Sequence, residues 1–290
     1  MTFLLDRAQL DALDARVDAL EQAQAREIPA PLAGSGYALA WADEFESFDT
    51  ARWNDHLRWS ACTPPAGRIY VSAGILHLEQ AVGECELTQV NTAWQVATPA
   101  SFLQPLYVEF RMKLPAGDRS WPSAWFMNFQ HLSRPPPEGE QTSACTTSGG
   151  QLIDELDVID NGAPGELPDT LVSVLHKNTS SYCGVADAQN GCEDPDFPGP
   201  SCGMDVNVDL TAAFHRIAAW WTAGQVRIYV DNVLVERIST FPDEGNFRGT
   251  DAVPMGLLLG SHRGDYDCHP CGTHPAVIDT QFDYVRVYSR

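Results

Sequence analysis

"DELDVIDNG", Asp154 to Gly162, places four carboxylates within seven residues and sets Leu, Val and Ile between them. In an extended strand, residues two apart share a face. Glu155 and Asp157 therefore point one way, and Asp154 and Leu156 the other. Asp160 is five positions beyond Glu155, an odd offset that turns it away. One β-bulge between Asp157 and Asp160 inserts a residue and returns Asp160 to the face of Glu155. Three carboxylates in one row repel each other, so at least one of their pKa values must rise. One ionised carboxylate beside one protonated acid is the pairing that acid/base chemistry needs. The same letters have a plainer reading. Asp-Asn-Gly is a strong turn signal, and the strand would then end at Ile159 with Asp160 opening a hairpin. Spacing alone leaves both readings open.

Outward from this stretch, short β segments are separated by turn residues. "RIYVSAGILHLEQ", "LYVEFRMKLPAGD", "TLVSVLHKN", "HRIAAWWTAGQVRIYVDNVLVERIS" and "QFDYVRVYSR" follow one another along the chain. In "YVEFRMKL" and "FDYVRVY" apolar and polar residues alternate with period two, as in antiparallel strands with one buried face. Ala-Gly and Asp-Asn punctuate residues 221–235 as meander turns. No helical pattern of ten residues lies between strands, which excludes a parallel α/β fold and favours an all-β sandwich. Trp53, Trp220 and Trp221 are expected in the core, the last two facing opposite sides because they are adjacent.

The first 30 residues differ. "LLDRAQLDALDARVDALEQAQARE", residues 4–27, is rich in helix formers and carries Leu10, Leu13, Val17 and Leu20 at spacings of three and four. An amphipathic N-terminal helix is expected there, either packed on its own domain or serving oligomerisation or attachment. "IPAPLAGSG" reads as a linker. The expected division is 1–30 helix, 31–37 linker and 38–290 sandwich.

Composition narrows the partners. Of 290 residues, 18 are Lys or Arg and 39 are Asp or Glu, a formal charge of -21 that repels nucleic acid and anionic membrane surfaces. Eight cysteines, several in Gly- and Pro-rich surroundings, point to disulfides and an oxidising compartment. Three of them fall in the long irregular stretch Cys183 to Asp205. The chain start has only a short apolar run and no cleavage signal, so an extracellular or particle-surface location rests on the cysteines. Asn178 opens an Asn-Thr-Ser glycosylation triplet. "CHPCGTH", Cys268 to His274, has zinc-ligand letters, but a loop disulfide network fits the composition better.

"DELDVID" resembles the signature strand of glycoside hydrolase family 16, which runs Glu, apolar, Asp, apolar, apolar, Glu. "WADEFESFDTARWN", "YVEFRMKLPAGDRSWPSAWFMN", "LVSVLHKN", "FHRIAAWWTAGQVRIYVDNVLV" and "FDYVRVY" are similar to other segments of that family, in the same order, over residues 38–290. The resemblance implies a jelly roll of two curved antiparallel sheets with a glycan lying in a concave groove. It implies endo-acting, retaining hydrolysis of a β-linked polysaccharide, a β-1,3 or mixed-linked glucan or a galactan. Glu155 falls on the nucleophile, Asp157 on the helper carboxylate and Asp160 on the acid/base, where the family has Glu. His176 matches a histidine that assists the acid. Trp121 and Trp125 match the groove platforms on which sugar rings stack, with Trp121 preferred because a Pro-containing turn between the two need not keep them on one face. A structural Ca²⁺ would fall on Glu44, the Gly74 carbonyl and Asp283, all hard oxygen donors. No organic cofactor is implied.

Asp160 is shorter than Glu by one carbon–carbon bond, about 1.5 Å. Retaining enzymes hold their carboxyls about 5 to 5.5 Å apart, so on an unchanged backbone the short acid falls near the edge of that class. A second reading follows from Asp160, the missing leader and the heptad-like helix: a non-catalytic glycan-binding module attached through its N-terminal helix to a larger assembly or viral particle.

Overall fold

The structure is a computed structural model. It describes residues 28–55, 64–81, 84, 87–103, 105–117, 120–128, 154–161, 168–177, 203–222, 225–239, 254–263 and 276–290. The expected helix at 4–27, all eight cysteines, Asn178 and the 268–274 segment lie outside the described residues. Among the described residues no helix is long and apolar enough to cross a membrane.

Among the described residues, a 3-10 turn at Ala30–Leu32 precedes elements that are all β-strands. The strands are β1 (Ala38–Asp43), β2 (Ile69–Ser72), β3 (Ile75–Ala81), β4 (Leu87–Asn91), β5 (Leu106–Lys113), β6 (Ser120–Asn128), β7 (Asp154–Asp160), β8 (Thr170–Val172), β9 (Val174–Lys177), β10 (Gly203–Asp205), β11 (His215–Thr222), β12 (Gln225–Val230), β13 (Val233–Ser239), β14 (Met255–Arg263) and β15 (Val277–Ser289). One sheet runs β13-β12-β11-β5-β15-β3-β2, with β1 also paired to β15. The other runs β4-β14-β6-β7-β9, and β8 pairs with β10. Every recorded pairing is antiparallel, the arrangement that short hairpin-linked strands adopt.

Local chemistry explains the corners. The β12–β13 hairpin turns at Asp231 and Asn232, with φ of 47° and 67°, and the β2–β3 hairpin at Ala73 and Gly74, with φ of 51° and 76°. Positive φ at both central residues is the two-residue turn whose twist matches the strands it joins. The Asp-Asn signal in the sequence is therefore a turn as expected.

The core lies between the two sheets. Phe110, Met112, Ile217, Trp221, Phe282 and Val285 meet Ala124, Phe126, Leu156, Val158, Leu257 and Leu259. Trp53 is 1% exposed in the same core and packs edge-on against Trp41.

The larger sheet buries its other face as well. Tyr107, Ala218, Tyr229 and Tyr288 form a second cluster, closed by Leu32 and Tyr37, with Trp220 packed against it. The Trp220 indole N–H donates to the Tyr37 hydroxyl at 3.1 Å. Trp220 and Trp221 thus face opposite sides, one in each cluster. Residues 31–37, expected to be a linker, instead hold this outer layer down. The stretch carries two large apolar side chains among its Gly and Ala, and the aromatic face of the sheet gives them somewhere to be buried.

Candidate active site

Strand β7 has its core side and its outer side set by alternation, and one irregularity decides where Asp160 goes. Glu155 pairs with Met127, Leu156 with Phe126 and Asp157 with Trp125; then Ile159 pairs with Ala124 and Asp160 with Ser123. Val158 is the extra residue, and both Val158 and Ile159 are buried in the core. The bulge therefore brings Glu155, Asp157 and Asp160 onto one face, the outer face of the five-stranded sheet. The turn signal also operates, because the strand stops at Asp160. Asn161 follows, its amide N–H donating to the Thr170 carbonyl at 2.6 Å and its side-chain oxygen accepting from the Val172 N–H at 2.9 Å.

The three carboxylates sit in different surroundings. Glu155 and Asp160 are half-buried, whereas Asp157 is 4% exposed. Burial pushes the Asp157 carboxyl well above the usual carboxylate range, and the neighbouring Asp160 charge adds to the rise. The Trp121 indole N–H donates to Oδ1 of Asp160. This bond holds the Asp160 carboxyl against the indole edge.

Trp121 and Trp125, both expected as groove platforms, are joined by strand rather than by the expected Pro-containing turn: β6 runs unbroken from Ser120 to Asn128 through Pro122, so Trp121, Ser123 and Trp125 share the outer face. The strand tolerates the proline because pairing to β7 stops at Ser123, one residue short of it. Both tryptophans are half-buried. His176 lies on β9, paired with Glu155 in the register.

Three residues here carried no sequence signal. His262 on β14 pairs with Trp121, and its ring packs on that indole at 5.4 Å with a tilt of 31°. Its Nε2 is 3.3 Å from the Ser123 hydroxyl. Desolvation lowers its pKa to about 3, so the imidazole is neutral in ordinary buffers. Gln89 on β4 is 1% exposed, and neither end of its amide has a hydrogen-bond partner among the described residues. An unanswered buried amide costs about 1–3 kcal/mol. These groups come from strands far apart in sequence, and only the pairing of β4, β14 and β6 brings them together.

The proposed calcium positions lie on the other sheet. The end of β1 and the start of β3 meet β15 at its bulge between Phe282 and Tyr284, which carries Asp283. The register thus gathers Glu44, Gly74 and Asp283 along one stretch of β15. Both oxygens of Glu44 are taken by Arg286, at 2.8 and 2.7 Å, and Asp283 pairs with Arg111. As side-chain ligands these two carboxylates do not fit a calcium ion, because each already faces a guanidinium. Among the described residues no group of three or more His, Cys, Asp or Glu side chains is placed to hold a metal ion.

No family model matches the chain. A curated relative, glucan endo-1,3-β-glucosidase A1 of Niallia circulans, is 24% identical over an alignment that takes in 90% of this chain and 39% of the relative. The chain thus spans well under half of that protein. An endo-β-1,3-glucanase from Pyrococcus furiosus superposes with a TM-score of 0.60 at 20% identity, covering 87% of this chain and 94% of the other. A non-specific endo-β-1,3(4)-glucanase of family GH16, co-crystallised with 1,3-β-D-cellotriosyl-glucose, superposes at 0.61 and 22% identity, covering 88% and 96%. The resemblance first read from "DELDVID" therefore extends to the architecture of the chain, which has the β-sandwich fold of the glycoside hydrolase family 16 endo-glucanases.

Proposed function

We propose that the outer face of the five-stranded sheet hydrolyses internal linkages of a β-linked polysaccharide, a β-1,3 or mixed-linked glucan or a galactan, with retention at the anomeric carbon. The observation that carries the reading is the β7 bulge, which turns Asp160 onto the face of Glu155 and Asp157. Structural support for a structural role is weak, since three carboxylates in one row, one of them buried, do little for stability. The similarity to endo-glucanases adds to it.

In this reading Glu155 attacks the anomeric carbon while Asp160 delivers a proton from its carboxyl to the leaving oxygen. The glycosyl–Glu155 ester is then hydrolysed by a water whose proton Asp160 takes back. Asp157, buried between them, stays protonated more readily than an ordinary carboxylate and spares the row a further negative charge. Trp121 holds the acid, and Trp121 and Trp125 offer apolar ring faces to sugar. His176 pairs with Glu155 in the register on β9, at the position where the resemblance implies a histidine that assists the acid. A polymeric glycan substrate places the work outside the cell.

The geometry also defines the weak point. The partner positions of Glu155 and Asp160 on β6, Met127 and Ser123, are four residues apart, about 13 Å along the strand. Two side chains and the reacting atoms must span that length, and Asp160 reaches about 1.5 Å less than Glu. This shortfall favours the second reading, a glycan-binding module without chemistry, attached through its N-terminal segment.

Digestion of laminarin, lichenan and agarose, followed by reducing-end release, separates the two. Wild type is expected to release sugar and Glu155→Gln to lose at least 1,000-fold of that rate, on the order of a removed catalytic group. Asp160→Glu is expected to raise kcat by roughly 10- to 100-fold, the scale of a 1 Å correction. Binding without release by any variant would establish the non-catalytic module.

A further inference from the structure

The register of the five-stranded sheet lines up Gln89, Gly260, Ser123 and Asp160 in one row across β4, β14, β6 and β7. The row spans three strand spacings, about 14 Å. Val90, Leu259 and Ala124, one residue away on each strand, are in the core, so the row itself faces outward. Gly260 is its gap. A Cβ there would lie 2.8 Å from His262 Nε2 and would collide with the Ser123 hydroxyl. The His262 imidazole, stacked on Trp121, occupies that space and leans over the glycine towards Ser123.

On the far side of the same glycine, about 5 Å across the strand pair, is Gln89. Its side chain is closed over, and both its N–H donors and its carbonyl oxygen lack partners among the described residues. Buried polar groups are almost always answered, and an amide offering donor and acceptor together is answered by a group that is also both. A sugar hydroxyl is such a group. The described outer face between Asp160 and the β4 edge carries no charged side chain: Ser123, His262, Gln89 and Asn91 are its polar members. Desolvation keeps His262 neutral. An anionic substituent would be stripped of water here with no cation among the described residues of this face to meet it.

We propose that Ser123, His262 and Gln89 select an uncharged glycan, binding the hydroxyls of a sugar unit on the β4 side of Asp160 and rejecting units that carry sulfate or carboxylate. The imidazole fills the space over Gly260, so a sugar hydroxyl reaches the Gln89 amide only as His262 turns aside from the glycine. The inference rests on the glycan-cleaving reading above and narrows its substrate to a neutral polymer.

The test is calorimetric binding to the full chain carrying Glu155→Gln, which separates binding from turnover. The probes are a β-1,3-glucan hexasaccharide and a galactan oligosaccharide bearing sulfate esters. The neutral hexasaccharide is expected to bind and the sulfated one to bind at least tenfold more weakly. Gln89→Leu and His262→Ala are each expected to weaken the neutral sugar about tenfold, one lost hydrogen-bonding partner. Gln89→Leu is expected to keep or raise Tm, because it removes an unanswered amide, so lost affinity cannot be ascribed to unfolding. His262→Arg is expected to improve binding of the sulfated oligosaccharide. Unchanged neutral affinity in both Gln89→Leu and His262→Ala, or equal binding of both probes by the parent, overturns this inference alone. Binding of neither probe overturns the glycan reading and the inference with it.

Discussion

Asp157 is held where a carboxylate is least at ease, 4% exposed with another acid as its neighbour. Burial first and the Asp160 charge second raise its folded pKa well above the unfolded value of about 3.9. The folded state therefore binds this proton more tightly than the unfolded chain. The stability linked to it is fully present below the unfolded pKa and is lost as pH rises through the folded pKa. Asp157→Asn cannot titrate and keeps the shape. Its Tm is expected to fall less steeply than wild type as pH climbs above about 4, measured by thermal unfolding across pH. Parallel curves for the two proteins would place the raised proton elsewhere. At this scale much was legible: the offset of five, the need for one bulge and the expectation of one raised carboxylate all came from period two and like-charge repulsion. The Trp121 bond to Asp160 was not, because Trp121 is 39 residues away and nothing in "WPSAW" says where an indole N–H will point.

Between strands, the closeness of β14 to β6 depends on one missing side chain. Gly260 has no Cβ, and Ser123 and His262 use the space. Gly260→Ala is expected to push His262 off Ser123 and to cost about 1–3 kcal/mol, the range for overpacking a close-fitted site. Ser123→Ala added to it removes the hydroxyl that collides and is expected to recover part of the loss, read as Tm. If the single variant unfolds at the wild-type temperature, the two strands are not as closely fitted as the structure has them. The strands themselves were legible because apolar alternation and paired turn residues are local. What connects Gln89, Ser123 and His262 is strand order, and strand order is settled by which faces bury each other. The break expected at Pro122 was misplaced for a similar reason: proline disfavours a central strand only where its missing N–H is needed, and pairing to β7 ends before it.

For the molecule as a whole, both faces of the larger sheet are buried, and the second layer was hidden in the sequence. Tyr107, Tyr229 and Tyr288 alternate with core residues and look like an exposed aromatic face until Leu32 and Tyr37 cover them. Leu32, 1% exposed, anchors that cover. Leu32→Ala is expected to cost about 2–3 kcal/mol, a fall in Tm of roughly 4–10 °C for a chain of this size. A fall under 1 °C would mean that residues 31–37 are the linker their composition suggested.

The charge of -21 acts at the same scale. It sums over the surface rather than residing in the site, so its effect on a substrate depends on whether that substrate is charged and is screened within about 10 Å at 0.1 M salt. An uncharged glucan feels no long-range force. Its kcat/KM is expected to change less than about twofold between 50 mM and 500 mM NaCl. A polyanionic glycan is repelled at low salt, so any residual turnover of it is expected to rise over the same range. The comparison needs only initial rates on one neutral and one sulfated polymer. Neutral-glucan turnover that climbs steeply with salt would mean that charge near the site, rather than the uncharged row from Asp160 to Gln89, governs which glycan enters.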